Sequence, residues 1–171
     1  VSFFNDMETV KNFEDLIKEN TKMIFCTADS NVTGKILQLE KIGQICKRRG
    51  LFFGVDAAQA AGVVPIDMKK MNIDFLCIAP HKGLYAPMGI GVLIARKPLK
   101  RTVIEGGTGT NSVDFSQPKI MPEMLESGTL NLPAVLGTAA GINFIKSKCR
   151  IYEYEMGLVR YFYKGLLKNS K

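Results

Sequence analysis

The sequence is poor in the residues that metal centres and disulfide frameworks use. Its 171 residues include one histidine, His81, and four cysteines without a CxxC spacing, namely Cys26, Cys46, Cys77 and Cys149. Zinc sites bring together several Cys and His ligands, so a metal site is not expected. Cys26 and Cys77 lie inside apolar runs, where a reduced thiol packs as a small hydrophobic group. This pattern favours a cytoplasmic protein without disulfides.

Long apolar runs and concentrated charge are missing as well. No apolar stretch approaches the roughly 18 residues that a membrane span needs, so no membrane partner is expected. The net charge is +7, but the basic residues are dispersed between a helix end (47–49) and a turn (96–101). Cations on helix ends and solvated faces account for them, which argues against a nucleic-acid partner. The chain begins at Val1 without a targeting segment, which suggests a processed or truncated piece.

What is present is an alternation of apolar segments with strand and helix periodicity. Strands are predicted at 22–27, 51–55, 73–79 and 89–95, and helices at 12–20, 39–49, 134–148 and 152–168. Gly50 follows the second helix as a stop signal, and the glycine-rich stretch 106–112 opens a loop that extends to about Asn131. The strand, helix, strand order predicts one α/β domain over residues 1–171, with a mostly parallel sheet and flanking helices.

Polar residues follow three of the predicted strands. Asn31 lies in the loop after the first strand, Asp56 at the end of the second, and His81 and Lys82 after the third. In open α/β sheets, ligands bind in the crevice outside the carboxyl ends of the strands. This edge of the sheet is therefore the expected site.

Two of these residues also have simpler interpretations. An acid at a strand end, such as Asp56, often caps the following turn. Gln59, three residues later, can lie on the same side of that turn, so a carboxylate and an amide could address one flat polar ligand. Lys82 could be a surface cation, but a lysine in a partly desolvated loop favours its neutral amine, which can form a Schiff base.

Three motifs together resemble a known family. They are "VDAAQAAG" (55–62), "APHKGLYAPMGIGVLIA" (79–95) and "ESGTLNLPAVLG" (126–137). In order and spacing they are similar to the class V branch of pyridoxal-phosphate enzymes, especially cysteine desulfurase-like proteins. The likeness extends over residues 21–144. It implies the central portion of a fold-type I large domain.

The resemblance implies a role for each polar residue at the strand ends. Lys82 would form the internal aldimine with pyridoxal 5'-phosphate, and Asp56 would keep the ring nitrogen protonated. Gln59 would hydrogen-bond the phenolic oxygen of the ring, and His81 would help to hold the phosphate. Asn31 would lie near the phenolic oxygen or the substrate carboxylate.

The resemblance also implies partners and a reaction. In this family the Gly128-Thr129 pair reaches across a dimer interface to the cofactor phosphate of the other copy, so Thr129 is a cofactor-binding residue and a homodimer is expected. The substrate would be a small amino acid, with sulfur released from cysteine. A class V aminotransferase is the alternative reaction.

The sequence departs from the family pattern in several places. Ala79 stands where the family usually has a Ser or Thr that binds phosphate. The family's N-terminal phosphate-binding segment is expected to be absent ahead of Val1. The C-terminal small domain, with its substrate-binding arginine and nucleophilic cysteine, is expected to be absent after Lys171. Cys149 ends a predicted helix and is interpreted as structural rather than reactive. The chain alone is therefore expected to be weakly active or inactive.

Two rival interpretations stay open. The stretch "GGTGTNS" (106–112) could cradle a phosphate in an unrelated nucleotide-binding module, since successive glycine amides can form an anion site. It fits neither a Walker loop nor a dinucleotide fingerprint. The other rival is a non-catalytic fragment with the family's fold that does not hold the cofactor.

Overall fold

The computed structural model describes residues 5–107, 113–148 and 150–169. Four strands form one sheet: β1 (Met23–Thr27), β2 (Phe52–Asp56), β3 (Phe75–Ile78) and β4 (Val92–Ala95). The helices of the described ranges are α1 (Asp6–Asp15), α2 (Leu39–Arg49), α3 (Leu132–Ser147) and α4 (Ile151–Asn169), with a short 3-10 turn at Glu123–Leu125.

The strands lie in the order β1-β2-β3-β4. The β1–β2 and β2–β3 pairs are parallel, and β4 runs antiparallel to β3. The register places Thr27 opposite Asp56, and Asp56 opposite Cys77. The sheet is therefore mixed but mostly parallel, as predicted, and the carboxyl ends of the first three strands meet at one edge.

The core lies where α2 packs against β2. Ile42 and Cys46 from the helix and Phe53 and Val55 from the strand are at most 1% exposed and belong to one apolar cluster. Burying such side chains stabilises the fold by about 1.5–3 kcal/mol each. The helix ends at Gly50, whose φ of 65° is left-handed and allows the turn into β2.

The first predicted helix has the wrong bounds. The pattern predicts 12–20, but α1 covers Asp6–Asp15, because the Asn5 side chain caps its start by accepting hydrogen bonds from the N–H groups of Met7 and Glu8 at 3.0 and 3.4 Å. Three of the strands are also shorter than predicted, and β2 is shifted by one residue, from 51–55 to Phe52–Asp56. For β4 the reason is Gly89, whose φ of 94° is incompatible with an extended strand.

None of the helices in the described part of the chain is both long enough and apolar enough to cross a membrane.

Candidate active site

Three loops meet beyond the carboxyl ends of β1, β2 and β3. Hydrogen bonds between neighbouring strands continue past the strand ends: the Ala28 N–H donates to the Asp56 carbonyl, and the Ala57 N–H donates to the Cys77 carbonyl, both at 2.8 Å. The loops therefore leave the sheet side by side. The residues that follow each strand are held near one another.

The Asp56 side chain caps the turn that follows β2. It is half-buried, and its Oδ1 accepts a hydrogen bond from the Ala58 N–H at 2.9 Å. A helical turn follows, in which the Ala61 N–H donates to the Ala57 carbonyl at 2.9 Å. Gln59 lies in this turn and is half-buried. The capping interpretation of Asp56 is correct, and it employs only one of the two carboxylate oxygens.

Lys82 and His81 lie in a tight turn after β3. The Lys82 N–H donates to the Ala79 carbonyl at 3.1 Å, and the Tyr85 N–H donates to the Lys82 carbonyl at 3.0 Å. Both His81 and Lys82 are exposed. This differs from the partly desolvated lysine that the sequence suggests, because the described chain leaves both side chains open to solvent.

Glycines fix the position of the lysine turn. A Cβ atom on Gly83 would collide with the Ala61 carbonyl oxygen, and one on Gly62 would collide with the Gly83 carbonyl. The turn after β3 therefore packs directly against the turn after β2, backbone against backbone. Only residues without a side chain allow this approach.

Helix α3 supports the same turn from another direction. A Cβ atom on Gly141 would collide with the Leu84 carbonyl, and one on Gly137 would collide with Pro87. The rings of Tyr85 and Phe144 also meet edge to face, with centroids 5.4 Å apart. The "GTAAG" spacing in α3 thus brings the helix into close contact with the loop that carries Lys82.

The structure adds Asp29, which the sequence analysis does not predict. Its backbone carbonyl accepts a hydrogen bond from the Thr27 hydroxyl at 2.7 Å, and it forms an antiparallel bridge with Ile36. Its Oδ1 atom is buried and has no hydrogen-bond partner among the described residues. Burial and then the Asp56 charge raise the pKa of Asp29, while the Lys82 charge lowers it. Asp29 therefore lies within electrostatic range of both residues.

A sequence signal for Asp29 does exist. It is an acid two residues beyond the end of β1 and two residues before Asn31, but this spacing alone does not distinguish it from an ordinary loop acid. Asn31 itself lies exposed in the turn 31–33.

Thr129 lies in a different part of the surface. It is exposed and, with Gly128, lines an open cavity of about 620 Å³ between β4 and α3. Among the described residues, the lining of this cavity includes neither Asp56 nor Lys82. Asp56, Gln59, His81 and Lys82 thus lie at or after the ends of two neighbouring strands, Asn31 lies in the loop after β1, and Thr129 lines the cavity beside β4 and α3.

The described cysteines are poor nucleophiles, and the described residues form no metal site. Burial raises the pKa of Cys26 to about 12 and of Cys46 to about 11. The pKa of half-buried Cys77 is raised by burial and by the Asp56 charge. Cys149 and residues 108–112 of the glycine-rich stretch lie outside the described residues. Within residues 5–107, 113–148 and 150–169, no group of three His, Cys, Asp or Glu side chains could hold a metal ion.

The chain belongs to the class-V aminotransferase family, whose model matches residues 5–171. It is similar to a probable cysteine desulfurase of Borreliella burgdorferi, at 36% identity over 95% of this chain and 42% of the relative. A probable cysteine desulfurase of Pyrococcus abyssi is also 36% identical, over 86% of this chain and 39% of the relative. The family resemblance predicted from the three motifs is confirmed.

Solved structures of cysteine desulfurases are similar to this chain as well. The apo structure of a cysteine desulfurase from Thermococcus onnurineus NA1 matches with a TM-score of 0.75 and 33% identity, covering 93% of this chain and 41% of that one. The cysteine desulfurase CsdA from Escherichia coli matches with a TM-score of 0.71 and 28% identity, covering 84% and 37%. The chain therefore spans less than half the length of these relatives.

Proposed function

We propose that this chain forms the cofactor-holding part of a pyridoxal-phosphate-dependent enzyme that releases sulfur from cysteine. Relatives that resemble most of the chain are named cysteine desulfurases. The observation that carries the proposal is the meeting of Asp56 and Lys82 at one sheet edge, where both charges act on Asp29. The Gly62 and Gly83 contact holds the two loops in this relation.

The side chains at the edge fit pyridoxal 5'-phosphate. The group has a flat ring with a basic nitrogen, a phenolic oxygen and an aldehyde, and the edge offers a half-buried carboxylate, a half-buried amide and an exposed amine. The buried, unpartnered Oδ1 of Asp29 also indicates that the edge is short of positive charge and of hydrogen-bond donors. A ligand with a protonated ring nitrogen would supply both.

Each residue then has a defined task. Lys82 would hold the cofactor through its side-chain nitrogen, and the same Nζ, once released, would take and return a proton at the substrate Cα. The Asp56 carboxylate would keep a proton on the ring nitrogen. The Gln59 amide would hydrogen-bond the phenolic oxygen, with Asn31 beside it. The bound cofactor supplies an electron sink for the negative charge that develops at the substrate Cα.

The phosphate would be held less firmly by this chain. Ala79 has no hydroxyl to offer it, and His81 is exposed. A charge-assisted hydrogen bond contributes about 1.5–3 kcal/mol, so its loss lowers the affinity for the phosphate by about one to two orders of magnitude. Exposure of Lys82 would weaken cofactor binding further, because water has access to the bond between the lysine nitrogen and the cofactor aldehyde. We therefore propose that the chain alone turns over slowly.

A homodimer fits the position of Thr129. This residue lies in the cavity beside β4 and α3, apart from Lys82, so it is free to serve the phosphate of a second copy. The fold itself is the central portion of a large domain in this proposal. The cytoplasmic location stays a prediction, since related enzymes include proteins named as mitochondrial.

The cysteines give a reason to keep the aminotransferase alternative. Sulfur transfer requires a thiolate acceptor, and burial raises the pKa of Cys26 and Cys46 to about 12 and about 11. Neither thiol suits this task at neutral pH. If the protein transfers an amino group instead, no acceptor thiol is needed.

The test is to mix the 171-residue chain with pyridoxal phosphate and cysteine and to follow both the cofactor absorbance and the products. We expect an absorbance band that Lys82→Ala removes and that the matched variant Lys97→Ala, at another exposed lysine, retains. Alanine as product supports desulfuration, and a keto acid supports transamination. A spectrum identical to free cofactor for the parent chain would contradict the proposal.

A further inference from the structure

Two carboxylates and one ammonium group converge at the sheet edge. Asp29 follows β1 and Asp56 ends β2, and the register that pairs Thr27 with Asp56 places their loops side by side. Both Asp56 and Lys82 exert a charge effect on Asp29. With these three groups ionised the edge carries a net negative charge.

The side chain of Asp29 has no evident task in the fold. Its Oδ1 is buried, and no donor among the described residues reaches it. Leaving a buried polar atom unpartnered costs about 1–3 kcal/mol, and more for a charged group. Side chains with this kind of cost are found where a ligand later satisfies them.

We propose that Asp29 is a positioning residue of the cofactor site, which acts through its charge to favour ligands whose ring nitrogen is protonated. This inference rests on the proposed function. In this proposal Asp56 contacts the ring nitrogen, and Asp29, which follows the neighbouring strand β1, lies within electrostatic range of Asp56. The charge of Asp29 makes the potential at the ring more negative, so it stabilises the protonated ring together with Asp56.

Asp29 is half-buried and lies within electrostatic range of Asp56 and Lys82. A unit charge a few ångströms away, at the edge of a protein, interacts by amounts that correspond to large changes in affinity. At the ring nitrogen the charge of Asp29 would add to that of Asp56, so protonation of the nitrogen would be more favourable with both carboxylates than with Asp56 alone.

The experiment compares pyridoxal phosphate with 1-deazapyridoxal phosphate, in which carbon replaces the ring nitrogen. The ratio of the two dissociation constants, measured by absorbance titration of the full chain, reports the interaction at the ring nitrogen alone. We expect the parent chain to prefer pyridoxal phosphate and Asp29→Asn to reduce that preference by about three- to tenfold. Asp56→Asn should reduce it further, and Asp15→Asn, at an exposed acid on α1, should leave it unchanged.

The outcomes separate the two proposals. If Asp29→Asn binds both compounds with the parent chain's ratio, Asp29 does not act on the ring and the inference is overturned. If the parent chain binds pyridoxal phosphate without dependence on Lys82, the proposed function fails, and the inference fails with it. Thermal unfolding of Asp29→Asn and binding by Asp29→Glu, which keeps the charge and should retain part of the preference, distinguish a lost charge from a lost fold.

Discussion

Gly62 and Gly83 are in backbone contact, and this contact joins the loop after β2 to the loop that carries Lys82. A side chain on either residue would meet a carbonyl group of the opposite loop. The relative position of Asp56 and Lys82 therefore depends on two residues that have no chemistry of their own.

Replacing Gly83 with alanine should separate the two loops. Its Cβ would collide with the Ala61 carbonyl, and backbone cannot move aside as a flexible side chain can. We expect the free energy of unfolding to fall by about 1–3 kcal/mol, measured by urea denaturation. Gly91→Ala is the matched control, because a Cβ there meets nothing within 4 Å. Equal stability of the two variants would show that the loops are not tightly packed.

Two glycines in helices should respond to alanine with opposite signs. In α3, a Cβ on Gly141 would collide with the Leu84 carbonyl, whereas in α4 a Cβ on Gly157 meets open space. Gly157→Ala should stabilise the chain by up to about 1 kcal/mol through helix propensity, and Gly141→Ala should destabilise it despite the same gain. Thermal unfolding of the two variants measures the difference. Stabilisation by both would mean that α3 does not pack on the lysine loop.

Asp29→Asn should make the chain more stable at neutral pH. The folded pKa of Asp29 is raised above its ordinary value of 3.8, so the folded state favours the protonated form. Stability from this group is present at acid pH and is lost as the pH rises through the folded pKa. The variant should be more stable than the parent chain at neutral pH, and the two stabilities should converge at acid pH. A destabilised variant at neutral pH would show that Asp29 has a partner in the folded chain.

The buried thiols should resist alkylation. At pH 9.0, the ordinary thiol pKa, a free thiol is half ionised, but the pKa of Cys46 is raised to about 11 and that of Cys26 to about 12. The thiolate fraction of Cys46 is then about fiftyfold lower, and that of Cys26 lower still. Peptide mapping after iodoacetamide treatment, with a urea-unfolded sample as control, measures each cysteine separately. Fast labelling of Cys26 in the folded chain would contradict its burial.

Mixed dimers should restore a site that each variant has lost. If Thr129 serves the second copy, then Lys82→Ala and Thr129→Ala chains refolded together form heterodimers with one complete site. About a quarter of all sites should then bind pyridoxal phosphate with the parent affinity, by random pairing. A titration of the mixture measures that fraction. A chain that is monomeric in sedimentation, or mixed dimers without a tight fraction, would contradict a shared site.

Much of the fold follows from apolar periodicity, because the strands and α2 are buried on a repeating face. Ile42, Cys46 and Phe53 show the spacing that predicts these elements. Helix α1 is less predictable, because its start depends on the Asn5 cap rather than on an apolar face. The ends of the strands likewise depend on single glycines such as Gly89.

Some residues of the candidate site can be predicted from the sequence, and others cannot. Asp56, Gln59 and Lys82 are predictable, since each follows a recognisable strand and belongs to a family motif. Asp29 is not, because nothing local distinguishes it from a loop acid until the neighbouring strand brings it within range of Asp56. The exposure of Lys82 is a tertiary property as well, since it depends on what covers the turn.

The most direct test of the account is to reduce the mixture of the chain and pyridoxal phosphate with borohydride and to map the modified lysine by mass spectrometry. The account predicts modification at Lys82 ahead of the other lysines, with weaker capture in Asp56→Ala and no change in Lys97→Ala. Modification spread over the exposed lysines, with no preference for Lys82 and no effect of Asp56→Ala, would contradict it.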